Sequence, residues 1–360
     1  MISSSMPKEA WYVIARSAEL PPGTITQRWI HGFPVALFRQ SGGELRALSD
    51  ACAHRQLPLS MGRIEGETIR CRYHGLRFDG EGRCVEVPGQ EGPPASLRIA
   101  AFPLVERSPF VWIWTGSPAR ARAADIPEHP WTADPRWTYA EGTKSVASRA
   151  ELLNENLLDL SHLEFLHPTS IGRSGIAAAP IRCEGQGRIV RVIRRMPESE
   201  AAPFYTATMG VEGRIARLQT AEFFAPSFHV THLTVEQGER QWTHKVLHGV
   251  TPATRSTTHY FWAIVRDYRT DDPSVTELQR SVVDSVFEQD AAACAAIERF
   301  LQAHEPGAPV EHHLRVDAGP LRARRVIESL LEAEQRAASA PPDHENEATS
   351  FEERRGDGTD

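Results

Sequence analysis

At 360 residues the chain is long enough for two ordinary domains, and its 41% hydrophobic and 24% charged content is that of a globular protein in water. A net charge of −7 argues against broad nucleic-acid binding, and no apolar stretch approaches the roughly 18–20 residues of a membrane helix. Met1 to Trp11 lacks the basic and apolar halves of an export signal, and five scattered cysteines do not suit a disulfide framework, so a cytoplasmic location is expected.

Residues 1–120 read as short strands punctuated by Gly and Pro turns: Trp11–Ala15, Val35–Phe38, Leu45–Leu48, Thr68–Tyr73 and Phe110–Trp114. Such a run predicts a small barrel or sandwich. Residues 121–138 are rich in Ala, Pro and Asp, as a linker is. A second domain is expected over 139–338. It opens with a helix from Ala147 to Leu166 and continues with alternating segments that predict an antiparallel sheet, among them Ile189–Arg194, Phe228–Val235, Trp242–Val250 and His259–Val265. Two helices follow, Val275–Ala303 behind a cap at Asp272 or Ser274, and Leu321–Ala337. The tail, 339–360, is polar and acidic and is expected to be disordered.

Two Cys/His pairs carry the first chemistry. Cys52-Ala-His54 and Cys71-Arg-Tyr-His74 lie 16 residues apart, at what read as hairpin tips with Gly62, Gly66 and Gly75 for the turns. Two thiolates can hold one iron of a [2Fe–2S] cluster while two neutral imidazoles hold the other, which raises the reduction potential. A Cys₂His₂ zinc site is the alternative. Its usual spacing keeps like ligands together, and the alternating order here disfavours it. Cys84, Cys183 and Cys294 read as small buried apolar residues.

The second constellation lies in the expected helix. Asn156, Asp159 and His162 recur every three residues on one side of a segment that is apolar around much of its circumference. A carboxylate buried there needs a partner. His167 precedes Pro168, which ends the helix. Two histidines around such a break can converge on one metal, and with a carboxylate they make the face used by non-haem Fe(II) oxygenases, which leaves positions open for O₂. Phe287-Glu-Gln-Asp290 offers Asp290, with Glu288 as second choice. The alternative is a pair of satisfied core histidines and a solvated helix carboxylate.

Together these residues resemble the Rieske oxygenase family, in the branch of the vanillate and dicamba O-demethylase oxygenases. The segments Ala53-His-Arg-Gln-Leu-Pro-Leu-Ser60, Tyr73-His-Gly-Leu76, Asn156-Leu-Leu-Asp-Leu-Ser-His162 and Ser170-Ile-Gly172 carry the likeness. It implies an α+β chain: an all-β Rieske [2Fe–2S] domain, then a helix-grip (START-like) catalytic domain with an antiparallel sheet. It implies Fe(II) on His162, His167 and Asp290, with Asn156 beside the iron. It also implies a homotrimer in which His74 of one subunit meets Asp159 of the next. Ala53 stands where the family usually has proline, which bears on loop rigidity and not on ligation.

Along Trp242-Thr-His-Lys-Val-Leu-His-Gly249, residues 242, 244, 246 and 248 share one face and would make a partly apolar substrate wall. His248 stands three residues before Thr251-Pro252, where the resemblance implies a substrate-contacting histidine. The other reading is a strand histidine facing solvent, and His244 is a second choice. No Gly-x-Gly-x-x-Gly follows a strand, so electrons from NAD(P)H are expected through a separate ferredoxin or flavin reductase. Arg55, Arg63, Arg70, Arg72, Arg77 and Arg83 make either a docking patch or an ordinary solvated surface. The expected function is the oxygenase component of a monooxygenase that uses O₂ on a small aromatic substrate, by O- or N-demethylation. A ring-hydroxylating dioxygenase α-subunit is the alternative, and a non-enzymatic carrier or ligand-binding protein is a third.

Overall fold

The structure, a computed structural model, describes residues 6–305, 307 and 310–339; the acidic segment from Ala340, expected to be disordered, lies outside them. No described helix is long and apolar enough to cross a membrane.

Ten short strands build the N-terminal part: β1 (Trp11–Arg16), β2 (Ile25–Ile30), β3 (Phe33–Arg39), β4 (Leu45–Ser49), β5 (Arg63–Glu65), β6 (Thr68–Arg70), β7 (Arg77–Asp79), β8 (Cys84–Glu86), β9 (Leu104–Arg107) and β10 (Phe110–Trp114). They form three antiparallel sheets, ordered β1-β10-β9, β2-β3-β4 and β5-β6-β7-β8. The strand expected over Thr68–Tyr73 stops at Arg70, because Cys71 turns the chain into a closed loop instead of continuing the ladder.

Among the described residues, seven antiparallel strands and five α-helices follow. They are β11 (Thr138–Val146), α1 (Ala150–Leu158), α2 (Leu163–Leu166), β12 (Ile181–Gln186), β13 (Ile189–Glu200), α3 (Pro203–Met209), β14 (Arg214–Phe224), β15 (Phe228–Gln237), β16 (Arg240–Pro252), β17 (Thr258–Arg266), α4 (Pro273–His304) and α5 (Ala318–Ser339). The sheet runs β11-β17-β16-β15-β14-β13-β12. Asp272 caps α4 by accepting from the Ser274 amide at 3.0 Å, with Pro273 in the first turn, where its missing N–H costs nothing. Helix α5 begins at Ala318, earlier than the expected Leu321, for the same reason: Gly319 and Pro320 fall in its first turn.

One expected helix is two. Between α1 and α2 the chain leaves the helix at Asp159 (φ −91°, ψ 94°). Asp159 Oδ1 accepts from the Ser161 amide at 2.8 Å and also from the Ser161 hydroxyl, a local turn that competes with helical bonding. Asn156, Asp159 and His162 therefore do not share one helix face.

The large sheet is covered on both sides. Its inner face packs on α1 and α4, with Leu153, Leu158, Phe223, Trp262 and Phe287 in the shared core. Its outer face meets Trp11, Phe110 and Trp112 of the N-terminal domain through Phe228, Leu247 and Phe261. That explains the unbroken buried run of β17, Tyr260 to Val265, in an antiparallel sheet that would otherwise alternate. Gly249 lets the domains close: a Cβ there would lie 2.7 Å from Val13 Cβ.

Candidate active site

The two Cys/His pairs sit on loops of the same construction. Cys52 N–H donates to Leu57 O and Gln56 N–H returns to Cys52 O, at 3.0 and 2.8 Å; Cys71 N–H donates to Leu76 O and Gly75 N–H to Cys71 O, at 2.8 and 3.1 Å. Gln56 (φ 59°) and Gly75 (φ 76°) take the left-handed position at equivalent points. The loops turn both cysteines inward, each 2% exposed, and leave both imidazoles at the surface, their centroids 4.5 Å apart. Burial pushes the Cys52 thiol up, which disfavours a lone thiolate and suits a cysteine that gives its proton up to a metal. A single tetrahedral zinc would draw its donors to within about 4 Å of one another. Among the described residues no three of Cys52, His54, Cys71 and His74 gather even within 4.8 Å. That spread fits a two-iron cluster, with the sulfurs inside and the imidazoles outside.

The six arginines around this tip divide. Arg63, Arg70, Arg77 and Arg83 are paired with Glu65, Glu86 or Asp79 on the same sheet, which leaves Arg55 and Arg72 without a salt bridge among the described residues. Four of the six positive charges are thus paired in place, which favours the ordinary solvated surface over a docking patch.

His162, His167 and Asp290 do converge. His162 Nε2 and His167 Nε2 lie 3.3 and 3.1 Å from Asp290 Oδ1, and this is the one such metal-binding group among the described residues. Adjacent corners of an octahedron with bonds of about 2.1 Å lie about 3.0 Å apart, so the spacing suits three ligands on one face of a metal. Each imidazole is aimed by its other nitrogen. His162 Nδ1–H donates to the main-chain oxygen of Asp159, and His167 Nδ1–H donates to Gln289 Oε1 at 2.6 Å. Both Nε2 atoms therefore point inward at Asp290, to which each can donate while it carries a proton; with a metal bound the same nitrogens would offer it their lone pairs. The Asp159 carboxylate does not reach His162 within the chain, being held by Ser161. Burial pushes the Asp290 carboxyl up, but its hydrogen bonds to His162 and His167 outweigh this and hold it well below the usual carboxylate range, ionised as a ligand must be. Asn156 Nδ2 donates to the same Oδ1 at 3.1 Å. Glu288, the second choice, points to solvent and pairs with Lys144 at 3.0 Å.

Gly172 closes the loop behind His167. Its N–H donates to His167 O at 2.9 Å, and a Cβ would lie 2.0 Å from Leu163 O and 2.8 Å from His167 O. Gly172→Ala must push α2 aside and His167 with it. We expect lower metal content at the three-residue centre and a thermal midpoint reduced by several degrees, measured by metal analysis and calorimetry. An unchanged metal content would show that α2 yields without moving the ligand.

A cavity opens on this centre. Apolar side chains of α1, α2 and α4 and of the sheet's inner face line it, including Leu157, Leu233, Val246, Ile264, Val286 and Phe287. His248 lies in its wall, 2% exposed, and does not face solvent. Its ring is fixed by Tyr260 OH at 2.7 Å from Nδ1 and Thr231 Oγ1 at 3.1 Å from Nε2. Burial lowers its pKa to about 3, so it is a neutral imidazole. His244, the second choice, lines the same cavity. Gln289, Tyr260, Tyr205 and Gln219 were not anticipated. Only Gln289 left a trace in the sequence, as the neighbour of Asp290.

This geometry has close counterparts. Residues 10–103 match the Rieske [2Fe-2S] domain and residues 146–333 the vanillate O-demethylase oxygenase C-terminal domain. The chain is 33% identical to a toluene-4-sulfonate monooxygenase system iron-sulfur subunit of Comamonas testosteroni, over 91% of this chain and 97% of that one. It is 31% identical to a vanillate O-demethylase oxygenase subunit of Pseudomonas sp. (93% and 97%) and to the dicamba O-demethylase oxygenase component of Stenotrophomonas maltophilia (91% and 98%). Crystalline dicamba monooxygenase bound to 3,6-dichlorosalicylic acid superposes with a TM-score of 0.85 at 30% identity, covering 92% and 99% of the two chains. Their names, as components of multicomponent systems, imply separate electron-transfer proteins. A Rieske [2Fe–2S] domain, a buried two-histidine, one-carboxylate centre and relatives matched nearly end to end place the chain in the Rieske non-haem iron oxygenase family, as a monooxygenase oxygenase component of the vanillate O-demethylase branch.

Proposed function

We propose that this chain removes a methyl group from oxygen or nitrogen on a small aromatic substrate, with O₂ as oxidant. The observation that carries the reading is the largely apolar cavity that His162 and Asp290 help to line. In this reading Cys52, His54, Cys71 and His74 hold the [2Fe–2S] cluster, and His162, His167 and Asp290 hold Fe(II). Iron so held supplies the activation of O₂. The chain's own residues position and exclude. Leu157, Leu233, Val286 and Phe287 keep water from the methyl group, His248 held by Tyr260 offers a polar contact to a ring substituent by exchanging its Thr231 partner for it, and Asn156 steadies Asp290. Hydroxylation of a methyl on oxygen gives a hemiacetal, which collapses to a phenol and formaldehyde. Two relatives are named as vanillate and dicamba O-demethylase oxygenase components and a third as a chloroacetanilide N-alkylformylase oxygenase component, which supports this class of reaction.

Electrons come from NAD(P)H through a ferredoxin, a flavin reductase or both, in the cytoplasm, and cross between subunits of a homotrimer from His74 to Asp159. Two features support the crossing. His54 and His74 stand exposed at the tip of their domain. An open groove reaches His162 past Asp159, Glu155 and Arg324, and among the described residues its lining comes from 152 onward, with none from this chain's own cluster loops. A screen of methoxy- and N-methyl-arenes with a generic reductase should give formaldehyde in step with substrate-dependent O₂ uptake. A cis-diol product without formaldehyde would replace the reading with ring dioxygenation.

A further inference from the structure

A second group of polar side chains, Tyr205, Gln219 and His244, lines the cavity, with His244 two same-face positions along its strand from His248. Arg194, Arg217 and Arg266 are each 2% exposed or less, and burying a guanidinium is costly unless its N–H groups find acceptors. Arg266 finds five: the main-chain oxygens of Tyr268, Arg269 and Asp272, Gln279 Oε1 and Thr276 Oγ1. Arg194 Nη1 is caged by the carbonyls of Ile176, Ala177 and Ala179, with Nε buried and unpartnered. Arg217 has no such cage. Its Nη2 donates to Tyr205 OH at 3.1 Å and Gln219 Oε1 at 3.2 Å, while Nε and Nη1 are buried with no acceptor, and no carboxylate is among its partners.

Both acceptors line the cavity, and so does His244. Gln219 and His244 flank Leu233 on adjacent strands, one row along the sheet from Arg217. The Tyr205 hydroxyl accepts from Arg217, so its own proton is free to donate into the cavity. Burial raises the Tyr205 pKa, against the opposing pull of Arg217, so the phenol keeps that proton. His244 Nδ1 is buried without a partner, and burial, reinforced by Arg217, lowers this histidine to about 3 and leaves a neutral ring. A positive charge with two empty donors thus stands behind a hydroxyl and an imidazole that face the space where a substrate sits.

We propose that this part of the cavity wall receives an oxyanion on the substrate, a carboxylate or a sulfonate, held by Tyr205 and His244 under the charge of Arg217. The enzyme then selects anionic arenes, and the anion turns the opposite end of the ring, with its methyl group, toward His162 and Asp290. This assignment rests on the demethylase reading of the site.

The test is calorimetric binding of three ligands to the metal-loaded oxygenase: 4-methoxybenzoate, 4-methoxybenzenesulfonate and the neutral 4-methoxybenzamide. Hydrogen bonds to a charged group in a buried site correspond to on the order of 10- to 100-fold in affinity. At least one anion should bind tighter than the amide by such a factor, and the tighter of the two identifies the oxyanion. In Arg217→Gln the anion-to-amide ratio should fall to about threefold or less, and Arg217→Lys should restore part of it. If Arg217→Gln does not fold, Tyr205→Phe and His244→Gln carry the same expectation. A wild-type ratio near one, or a ratio that survives these substitutions, overturns the assignment. Formaldehyde separates the two ideas. Selective anion binding with no formaldehyde from any ligand refutes demethylation and leaves the subsite standing; formaldehyde from all three with equal affinities does the reverse.

Discussion

Asp290→Ala should purify with about two irons per chain in place of three, with an unaltered Rieske electron paramagnetic resonance signal and no measurable turnover. Loss of a group that only orients a ligand costs 10- to 100-fold in metal affinity or activity, and loss of the ligand itself costs more, so a fall of at least ~100-fold is expected. Asp290 is the one charged member of the centre, and both histidines and Asn156 direct a nitrogen at its Oδ1. With it gone, two neutral imidazoles face a buried, largely apolar cavity. Glu288 cannot take over, because it points to solvent two residues away and is paired with Lys144. Three irons and full activity in Asp290→Ala would remove this carboxylate from the centre. Loss of the cluster signal as well would mean that the substitution unfolds the chain.

Co-expression of Cys71→Ser, which lacks a cluster ligand, with His162→Ala, which lacks an iron ligand, should return activity that neither has alone. In the proposed cyclic trimer each cluster would face one neighbour's iron centre. With random mixing, about half the donors and half the acceptors are intact at each interface, so about a quarter of wild-type turnover is expected. Every chain in such a mixture lacks one centre, so transfer within a subunit gives no recovery. Mixed trimers can be isolated with two different affinity tags, and their iron content shows whether the intact centres are filled. Filled, mixed and inactive trimers would sink the crossing from His74 to Asp159.

The chemistry of the cluster loops was legible in the sequence because it is local. Each Cys/His pair spans three or four residues, and a short loop whose own amides close on the cysteine carbonyl fixes where thiolate and imidazole point. His162 and His167 were legible for a similar reason, five residues apart around a break before Pro168. The break itself came earlier and differently than periodicity predicts, since the Asp159–Ser161 turn outcompetes one turn of helix and no spacing rule weighs that contest. The spacing left Asp290 and Glu288 both open, the resemblance implied Asp290, and the packing brings that carboxylate to the two histidines. Asp290 and Glu288 stand two positions apart on one helix, roughly 200° around it, and only the packing of α4 against the sheet turns one inward and the other to Lys144. The anion-facing side chains were hidden most deeply. Along β14 the buried positions are Ile215, Arg217, Gln219, Ala221 and Phe223, so polar side chains occupy the inner face, and alternation of polarity, the one strand signal a sequence carries, could not show which face was inside. A binding site puts polar groups where a core would be apolar, and so it erases the local pattern from which a fold is read; the partners that make such burial tolerable come from strands and helices far apart in the chain.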